Sequence, residues 1–299
     1  MDRPPRSFVT LLWTGAFAFV MTAVISGVWT GLLFANLAVS PSVPWGAAVM
    51  AVVLWMLWSY LDGRWAPSRT QQSRHSYLRG GRLPARLTAW ALLAGGLWIV
   101  ALAGFWIVLH DVVATSTNRL PDFSRLPAAT VAASLAMASI SGAISEEAGF
   151  RGYFQGALER RGLGPAAIFV AALVMAPEHA LTQGFVWPTI LFYLFVDGML
   201  GALAFVTKSI RPGIVVHAIG LLVFFTVVWP HDQDRTLIWR SGADAWFWVH
   251  VGQTLLFAAL AILSLVHLAR LAANGTSTIR SQTVVESETL ASDRPSATR

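Results

Sequence analysis

The sequence predicts an all-α membrane protein, a polytopic bundle of about eight transmembrane helices. Hydrophobic residues make up 56% of the chain and charged residues only 12%, whereas a soluble domain has about 25% charged residues. Apolar stretches of roughly 20 residues, long enough to cross a hydrocarbon core of about 30 Å, recur along the chain. They cover residues 8–36, 43–61, 87–109, 127–149, 164–182, 187–206, 212–229 and 245–269.

The first three stretches have no ionisable residue in their interiors, so we expect them to contribute apolar packing. The first follows the basic segment MDRPPR and therefore resembles a signal peptide. The apolar part of a signal peptide has only about 7–15 residues, so this longer stretch is predicted to remain as a span. Because this stretch is long for one span, we expect it to be tilted or broken near Gly27. Residues 1–126 thus form a region of three transmembrane helices with a basic cytoplasmic loop at 62–86.

The rest of the chain divides by polarity. Residues 127–229 form a core of four spans, which contain nearly all of the ionisable side chains inside the apolar stretches. Residues 230–271 form an outer loop and the last span. Residues 272–299 are polar and rich in Ser and Thr. Such a composition buries too little apolar surface to fold, so a disordered cytoplasmic tail is predicted.

Charge and cysteine content limit the classes of protein and partner. If the N-terminus is inside, 16 of the 21 Lys and Arg residues lie in cytoplasmic segments and 4 in outer loops. The positive-inside rule therefore predicts both termini in the cytoplasm. The expected location is the cytoplasmic membrane of a bacterium. The pI near 10.7 follows from this bias and does not indicate nucleic-acid binding. The absence of cysteine excludes disulfides, thiolate catalysis and zinc–thiolate sites.

The fourth span ends in an acidic pair and an arginine, in the sequence SEEAGFR. A charge in hydrocarbon costs about 2.5 kcal/mol or more unless it is compensated. Glu147 and Arg151 are four residues apart on one helical face and are predicted to pair. Glu146 points about 100° away and has no local cationic partner, which leaves it available as a general base. The alternative is that all three residues lie at the membrane boundary and are solvated.

Spans five to seven add four polar side chains, namely Glu178, His179, Asp197 and His217. At about 1.5 Å per residue, Glu146 and His179 lie roughly 20 and 24 Å from the inner turn between their helices. They can therefore face each other. His217 lies only about 9 Å beyond Arg211, nearer the inner surface. It can share a cavity with the other two if the cavity opens toward the cytoplasm or if the seventh helix is displaced.

Three motifs in this core resemble the signatures of the CPBP family. The family comprises CAAX-prenyl endoproteases, bacteriocin-processing proteins and abortive-infection-like membrane proteins. EEAGFR fits the family's Glu-Glu-x-x-x-Arg, MAPEH stands at the position of Phe-x-x-x-His, and HAIGL at that of His-x-x-x-Asn/Asp. The order and spacing of the three motifs are specific, whereas the first motif alone is weak. The resemblance covers roughly 127–229 and makes this region the CPBP-like catalytic core.

The resemblance implies an intramembrane endopeptidase that hydrolyses a peptide bond with an activated water. Glu146 would activate the water, His179 would assist it or bind a metal, and His217 would polarise the substrate carbonyl. Glu147 and Arg151 would support Glu146. The implied partner is a membrane-embedded or membrane-anchored protein or peptide substrate.

The resemblance leaves the use of a metal open. Glu146, His179 and His217 form a donor set of the His₂Glu type, which is compatible with Zn²⁺ and an open fourth coordination position. The sequence contains no His-Glu-x-x-His motif, so a zincin is excluded.

Two positions depart from the family signatures. Met175 replaces the phenylalanine, and a flexible thioether can take over its packing. Leu221 replaces the Asn or Asp that is thought to help the histidine bind water or the oxyanion. Glu178, which we expect to support the site, or Asp197 could replace the missing hydrogen-bond donor. A carboxyl group can donate only when it is protonated.

Two alternative functions remain open at this point. Leu221 favours a catalytically impaired relative that acts as a membrane partner or assembly protein. A proton-coupled transporter is the other alternative, with Glu146, His179 and Asp197 as a proton relay. The lack of internal repeats and the concentration of polar residues in one half of the chain argue against transport.

Overall fold

The computed structural model describes residues 8–113, 123, 126–183, 187–228 and 237–292. Side chains within these ranges are described except at 8, 177–178, 180–183 and 275–292. Helices account for 86% of the residues that the structure describes, and these ranges contain no β-strand. The predicted all-α fold is therefore confirmed.

The described α-helices are α1 (Phe8–Val39), α2 (Trp45–Leu61), α3 (Gln71–Leu78), α4 (Ala85–Val112), α5 (Ala128–Glu146), α6 (Gly156–Arg160), α7 (Ala166–Gln183), α8 (Trp187–Thr207), α9 (Arg211–Val223), α10 (Ile238–Ser241) and α11 (Ala245–Ser292). A π-helical segment, Glu147–Gln155, joins α5 to α6, and a second, Phe224–Val228, extends α9. A single 3₁₀ turn, Ser68–Thr70, precedes α3.

Six helical stretches of the described chain are long and apolar enough to cross a membrane. They are Val9–Val39, Ala85–Val112, Ala128–Arg160, Trp187–Thr207, Arg211–Val228 and Ala245–Asn274. The first passes Gly27 without a break. The third continues to Arg160, beyond the predicted end of the fourth span at 149, because α5, the π-helical segment and α6 form one continuous helical run.

The predicted spans at 43–61 and 164–182 correspond to shorter apolar helices, Trp45–Leu61 and Ala166–Ala176. A helix of 17 residues is about 26 Å long, at the lower limit for crossing the hydrocarbon core. The total of eight spans and their orientation therefore stay predictions.

The last helix is longer than the sequence predicts. α11 runs to Ser292 and includes most of the segment for which a disordered tail is predicted, while residues 293–299 lie outside the described chain. No proline occurs between Ala245 and Ser292. Because adding a residue to an existing helix costs far less than starting one, the chain can continue α11 through polar sequence.

α11 packs along α4, and the two helices approach closely at Gly104. A Cβ atom at Gly104 would lie 2.8 Å from Thr254 Oγ1 and 3.0 Å from the carbonyl oxygen of His250. One turn away, Gln253 Nε2 donates a hydrogen bond to the carbonyl oxygen of Val100 over 2.8 Å. Small residues and interhelical hydrogen bonds associate helices in lipid, where apolar burial alone gives no preference for one partner.

The π-helical segment Glu147–Gln155 is buried along its whole length. Two glycines let its neighbours approach. A Cβ atom at Gly149 would lie 3.1 Å from Ala18 Cα on α1, and one at Gly152 would lie 2.9 Å from the carbonyl oxygen of Leu78 at the end of α3. π-helical turns are rare and occur frequently at functional sites.

Glu159 joins three parts of the chain at this end of the bundle. Its carboxylate accepts hydrogen bonds from Arg79 Nη1 and Nη2, over 2.9 and 2.7 Å, and from Lys208 Nζ, over 2.9 Å. Gln155 Nε2 donates to the same carboxylate over 3.0 Å. The segment after α3, the end of α8 and α6 are thereby fixed together. We call these four residues the Glu159 cluster.

The start of α9 is bonded to the same segment after α3. The Ile210 backbone N–H donates to the carbonyl oxygen of Arg79 over 3.1 Å. Arg211 Nε donates to the carbonyl oxygen of Gly80 over 2.6 Å. Because Gly152 contacts the residue just before Arg79, the start of α9 lies level with Gly152.

Replacing Gly152 with Ala should lower the free energy of unfolding by about 1–3 kcal/mol, because the added methyl group meets a backbone carbonyl oxygen that cannot rotate away. Thermal unfolding in detergent micelles measures the change. Gly96→Ala is the matched control, since nothing lies within 4 Å of a Cβ atom there and Ala favours the helix by roughly 1 kcal/mol. Equal stability of the two variants would contradict the close contact at Gly152.

Candidate active site

A cavity of about 280 Å³ lies between the helices of the CPBP-like core and α1 and α4. Glu146, His179 and His217, the three residues predicted to be catalytic, all line it. Most of the remaining wall is apolar, with Trp29 from α1 and Trp106 from α4 among its residues. Apolar walls with a few convergent polar groups are typical of substrate-binding sites.

His217 lies at the depth of Glu146 because of the bonds at the start of α9. Six residues separate Gly152 from Glu146, and six separate Arg211 from His217. Since α9 starts level with Gly152, the two side chains come to a similar depth, as their 3.5 Å contact shows. The sequence-based estimate placed His217 nearer the inner surface because it took Arg211 to be level with the turn after α6. α9 instead starts farther into the bundle, which corresponds to the displaced seventh helix that the sequence analysis left open. His217 reaches the cavity because the segment after α3 packs against the π-helical segment.

Glu146 is the last residue of α5, and its carboxylate faces the imidazole of His217. Glu146 Oε2 lies 3.5 Å from His217 Nε2, and the side chains are 14% and 5% exposed. This oxygen accepts no hydrogen bond from the described residues. Gly142, one turn earlier, leaves room for the carboxylate, since a Cβ atom there would lie 3.5 Å from Glu146 Oε1 and 3.3 Å from Leu221 Cδ1.

Glu147 contacts the other side of the same imidazole. His217 Nδ1 lies 3.2 Å from Glu147 Oε1. A carboxylate at this distance accepts a hydrogen bond from Nδ1–H, which leaves Nε2 directed at Glu146. Gly213 permits the contact, because a Cβ atom at that position would lie 2.5 Å from Glu147 Oε2. Glu147 therefore does more than neutralise an arginine.

Arg151 connects carboxylates from two helical regions. Its Nε lies 3.5 Å from Glu147 Oε1, so the predicted ion pair is confirmed. Its Nη2 donates to Asp197 Oδ1 over 2.5 Å, and its Nη1 points at the sulfur of Met175. The side chains of Glu147, Arg151 and Asp197 are 0%, 2% and 1% exposed. The alternative of solvated boundary residues is therefore wrong for this pair.

α8 contacts His179 with two side chains. The imidazole stacks on the ring of Tyr193, with centroids 3.8 Å apart and planes within 10°. His179 Nε2 lies 3.9 Å from Asp197 Oδ2. Sequence reasoning named Asp197 as a possible donor in place of Leu221 or as part of a proton relay, but not as the partner of Arg151 and His179, because no family signature includes it. The side chain of Glu178 lies outside the described residues, so its supporting role stays a prediction.

The predicted Zn²⁺ set of Glu146, His179 and His217 is only partly assembled. Glu146 and His217 face each other and offer two donors. In the part of the chain that the structure describes, no group of three His, Asp or Glu side chains is arranged to bind a metal ion. The side chains that the structure describes do not form a three-ligand site, and the use of a metal stays a prediction. We therefore assign no step of the reaction to a metal.

One comparison with known proteins matches the region that contains this site. Residues 128–223 match the sequence model of the Rce1-like family, described as type II CAAX prenyl endopeptidase Rce1-like. The matched range contains the three cavity side chains and all three motifs, and it supports the predicted family for this part of the chain. No curated protein and no solved structure matches the chain.

Replacing Arg151 with Met should lower the free energy of unfolding by about 3–5 kcal/mol, because two buried carboxylates lose their cation. Adding Glu147→Gln and Asp197→Asn should restore part of this loss, since the cluster then has no unpaired charge. Thermal unfolding in detergent micelles measures both effects.

Arg64→Met is the matched control for this substitution. The Arg64 side chain is 59% exposed in its ion pair with Asp62, and exposed pairs contribute little to stability. If the Arg151 and Arg64 variants were equally stable, Arg151 would not be the cation on which the buried cluster depends.

Proposed function

We propose that this chain, whose residues 128–223 match the model of the Rce1-like family, is an intramembrane endopeptidase that uses a glutamate-activated water. The family is one of membrane proteases. The observation that carries the proposal is the pair formed by Glu146 and His217, 3.5 Å apart in a cavity between apolar helices. A carboxylate and an imidazole that face one cavity are suited to general acid–base hydrolysis.

Glu146 is the proposed general base. Its carboxylate accepts a proton from water while the water oxygen bonds to the carbonyl carbon of the scissile peptide. Glu146 then transfers this proton to the amide nitrogen as the C–N bond breaks. One water is consumed, and a carboxylic acid and an amine are released. His179, on the wall of the same cavity, forms a hydrogen bond with the water and fixes its orientation.

His217 is the proposed partner of the substrate oxygen. When its ring carries both protons, Nδ1–H is donated to Glu147 and Nε2–H is directed toward the cavity. The Nε2–H group can then donate to the negative charge that develops on the carbonyl oxygen. In other hydrolases one donor of this kind contributes about 2.7–4 kcal/mol to transition-state stabilisation.

The position of the cavity favours a substrate that is itself in or on the membrane. Glu146 lies within Ala128–Arg160, one of the six helical stretches that can cross the bilayer. The mainly apolar wall suits an apolar segment of chain and offers few partners to a soluble, charged peptide. We therefore propose a membrane-embedded or membrane-anchored protein as the substrate.

A catalytically impaired relative is the second candidate, and Leu221 is the observation that favours it. Leu221 lines the cavity, and its Cδ1 lies beside Gly142 close to the Glu146 carboxylate. The family has Asn or Asp at this position, whereas a leucine provides no donor or acceptor. In this case the chain would bind a membrane protein without cleaving it.

Glu146→Gln should lower kcat at least about 100-fold, since general acid–base catalysis contributes about 10²–10⁴ in rate. The assay is cleavage of quenched-fluorophore peptides that carry a transmembrane anchor, in proteoliposomes. Asp244→Asn is the matched control. It makes the same change of carboxylate to amide at a helix start, where the side chain accepts a hydrogen bond from the Phe247 N–H.

If Glu146→Gln cleaves as fast as the wild type, the proposed mechanism is wrong. If neither the wild type nor the Asp244 variant cleaves any peptide, the impaired relative is the better account.

Leu221→Asn should raise kcat about tenfold or more, because it adds an amide donor beside His217 where the family has one; a single oxyanion donor is worth about 10²–10³ in kcat. Leu221→Met is the control, because it changes shape with little change in volume or polarity. The same proteoliposome assay measures both. An unchanged rate in the Asn variant would indicate that the wild-type site already has this donor from another residue.

A further inference from the structure

Both cavity histidines face a buried carboxylate, and both carboxylates contact the same guanidinium. Glu147 Oε1 lies 3.2 Å from His217 Nδ1, and Asp197 Oδ2 lies 3.9 Å from His179 Nε2. Between them, Arg151 places Nε 3.5 Å from Glu147 and bonds Asp197 through Nη2. The site therefore contains two histidine–carboxylate pairs on either side of a single cation. The family signatures account for only one of the two carboxylates.

Asp197 lies on α8, a helix that contributes to none of the three signatures yet contacts the site at three successive turns. Tyr193 stacks on His179, and Asp197 follows one turn later. One further turn along, the carbonyl oxygen of Gly201 accepts a hydrogen bond from Gln155 Nε2 over 2.9 Å. A Cβ atom at Gly201 would lie 2.9 Å from Gln155 Oε1, so the helices are in close contact there. α8 is thereby fixed on both sides of Asp197.

The charges in this cluster exceed what a structural ion pair requires. Glu147 alone could neutralise Arg151, and each further buried carboxylate costs several kcal/mol in desolvation, by the order of magnitude usual for buried ions. Asp197 Oδ1 binds Arg151, whereas Oδ2 accepts no hydrogen bond from the described residues and lies on the side of His179. An asparagine oxygen could also accept a hydrogen bond from Arg151, although a weaker one than a carboxylate accepts. The negative charge of Asp197 is therefore best explained by the histidine.

We propose that Asp197 is a positioning residue for His179, and that its Oδ2 selects the imidazole tautomer that carries a proton on Nε2. At 3.9 Å the contact is electrostatic and longer than a direct hydrogen bond. A negative group at this point favours a ring N–H over a lone pair, so Nδ1 becomes the acceptor nitrogen of the ring. The stacked Tyr193 ring fixes the plane of the imidazole. The effect on the rate rests on the proposed endopeptidase function. The predicted tautomer of His179 does not depend on that function.

Asp197→Asn tests the rate. The amide keeps an oxygen for Arg151 but directs N–H donors toward His179, which favours the opposite tautomer. kcat should fall about 10- to 100-fold with little change in KM, as when the partner of a functional histidine is removed elsewhere. In a His179→Gln background the same substitution should have no further effect, because no imidazole remains to be oriented. A loss of equal size in both backgrounds would overturn the inference.

Histidine ¹⁵N chemical shifts test the tautomer without any substrate. Protein labelled with ¹⁵N-histidine is measured in detergent micelles at mildly alkaline pH, where an ordinary imidazole is neutral. The His179→Gln spectrum identifies the His179 signals. The wild type should show a proton on Nε2, and Asp197→Asn should shift the population toward Nδ1–H.

Thr207→Val is the control for a general disturbance of α8. Thr207 is buried on the same helix, and its hydroxyl donates to the carbonyl oxygen of Leu203. This variant should leave the His179 signals and kcat unchanged. If the wild type and Asp197→Asn show the same His179 tautomer, the inference is wrong, whatever the rates. If the wild type cleaves nothing but the tautomer changes as expected, the proposed function fails and the role of Asp197 stands.

Discussion

The guanidinium of Arg151, buried between Glu147 and Asp197, is the interaction on which the polar core of this protein depends. Helices in lipid gain little from apolar contact with one another, so apolar side chains alone do not select one arrangement of the bundle. The Arg151 side chain is 2% exposed, so its charge needs carboxylate partners inside the bundle. The two acids come from the π-helical segment and from α8, and Glu147 also contacts His217 on α9. One charge thus determines how three helical regions face each other.

Contacts outside the cavity, at the end of the bundle that contains the Glu159 cluster, also position the site. The Glu159 cluster and the backbone bonds at the start of α9 set the level at which α9 begins. His217 reaches the depth of Glu146 because of that starting level, and its contacts with Glu146 and Glu147 hold the imidazole there. The basic loop at 62–86 therefore bears on two questions. Its arginines are the basis of the predicted orientation of the chain, and Arg79 also contributes to the geometry of the cavity.

The sequence predicted those features that depend on local spacing. Helical spans follow from apolar length, and the pairing of Glu147 with Arg151 follows from the 3.6-residue period, so both were accessible. The ion pair between Asp197 and Arg151 could not be predicted, because it joins residues 46 positions apart and depends on the register between two helices. The depth of His217 was misjudged for the same reason. Where packing between distant segments sets a position, counting residues along one helix cannot give it.

The π-helical segment has a consequence for the evolution of the chain. A π-helix closes its hydrogen bonds between residues i and i+5, so each residue advances the helix by a smaller angle than in an α-helix. Residues on either side of Glu147–Gln155 are therefore out of phase with a continuous α-helix. Loss of a single residue there would rotate Glu159 away from Arg79 while Glu146 stayed in the cavity. In this stretch the number of residues is constrained as strongly as their identity, and gaps should be rarer there than elsewhere in the chain.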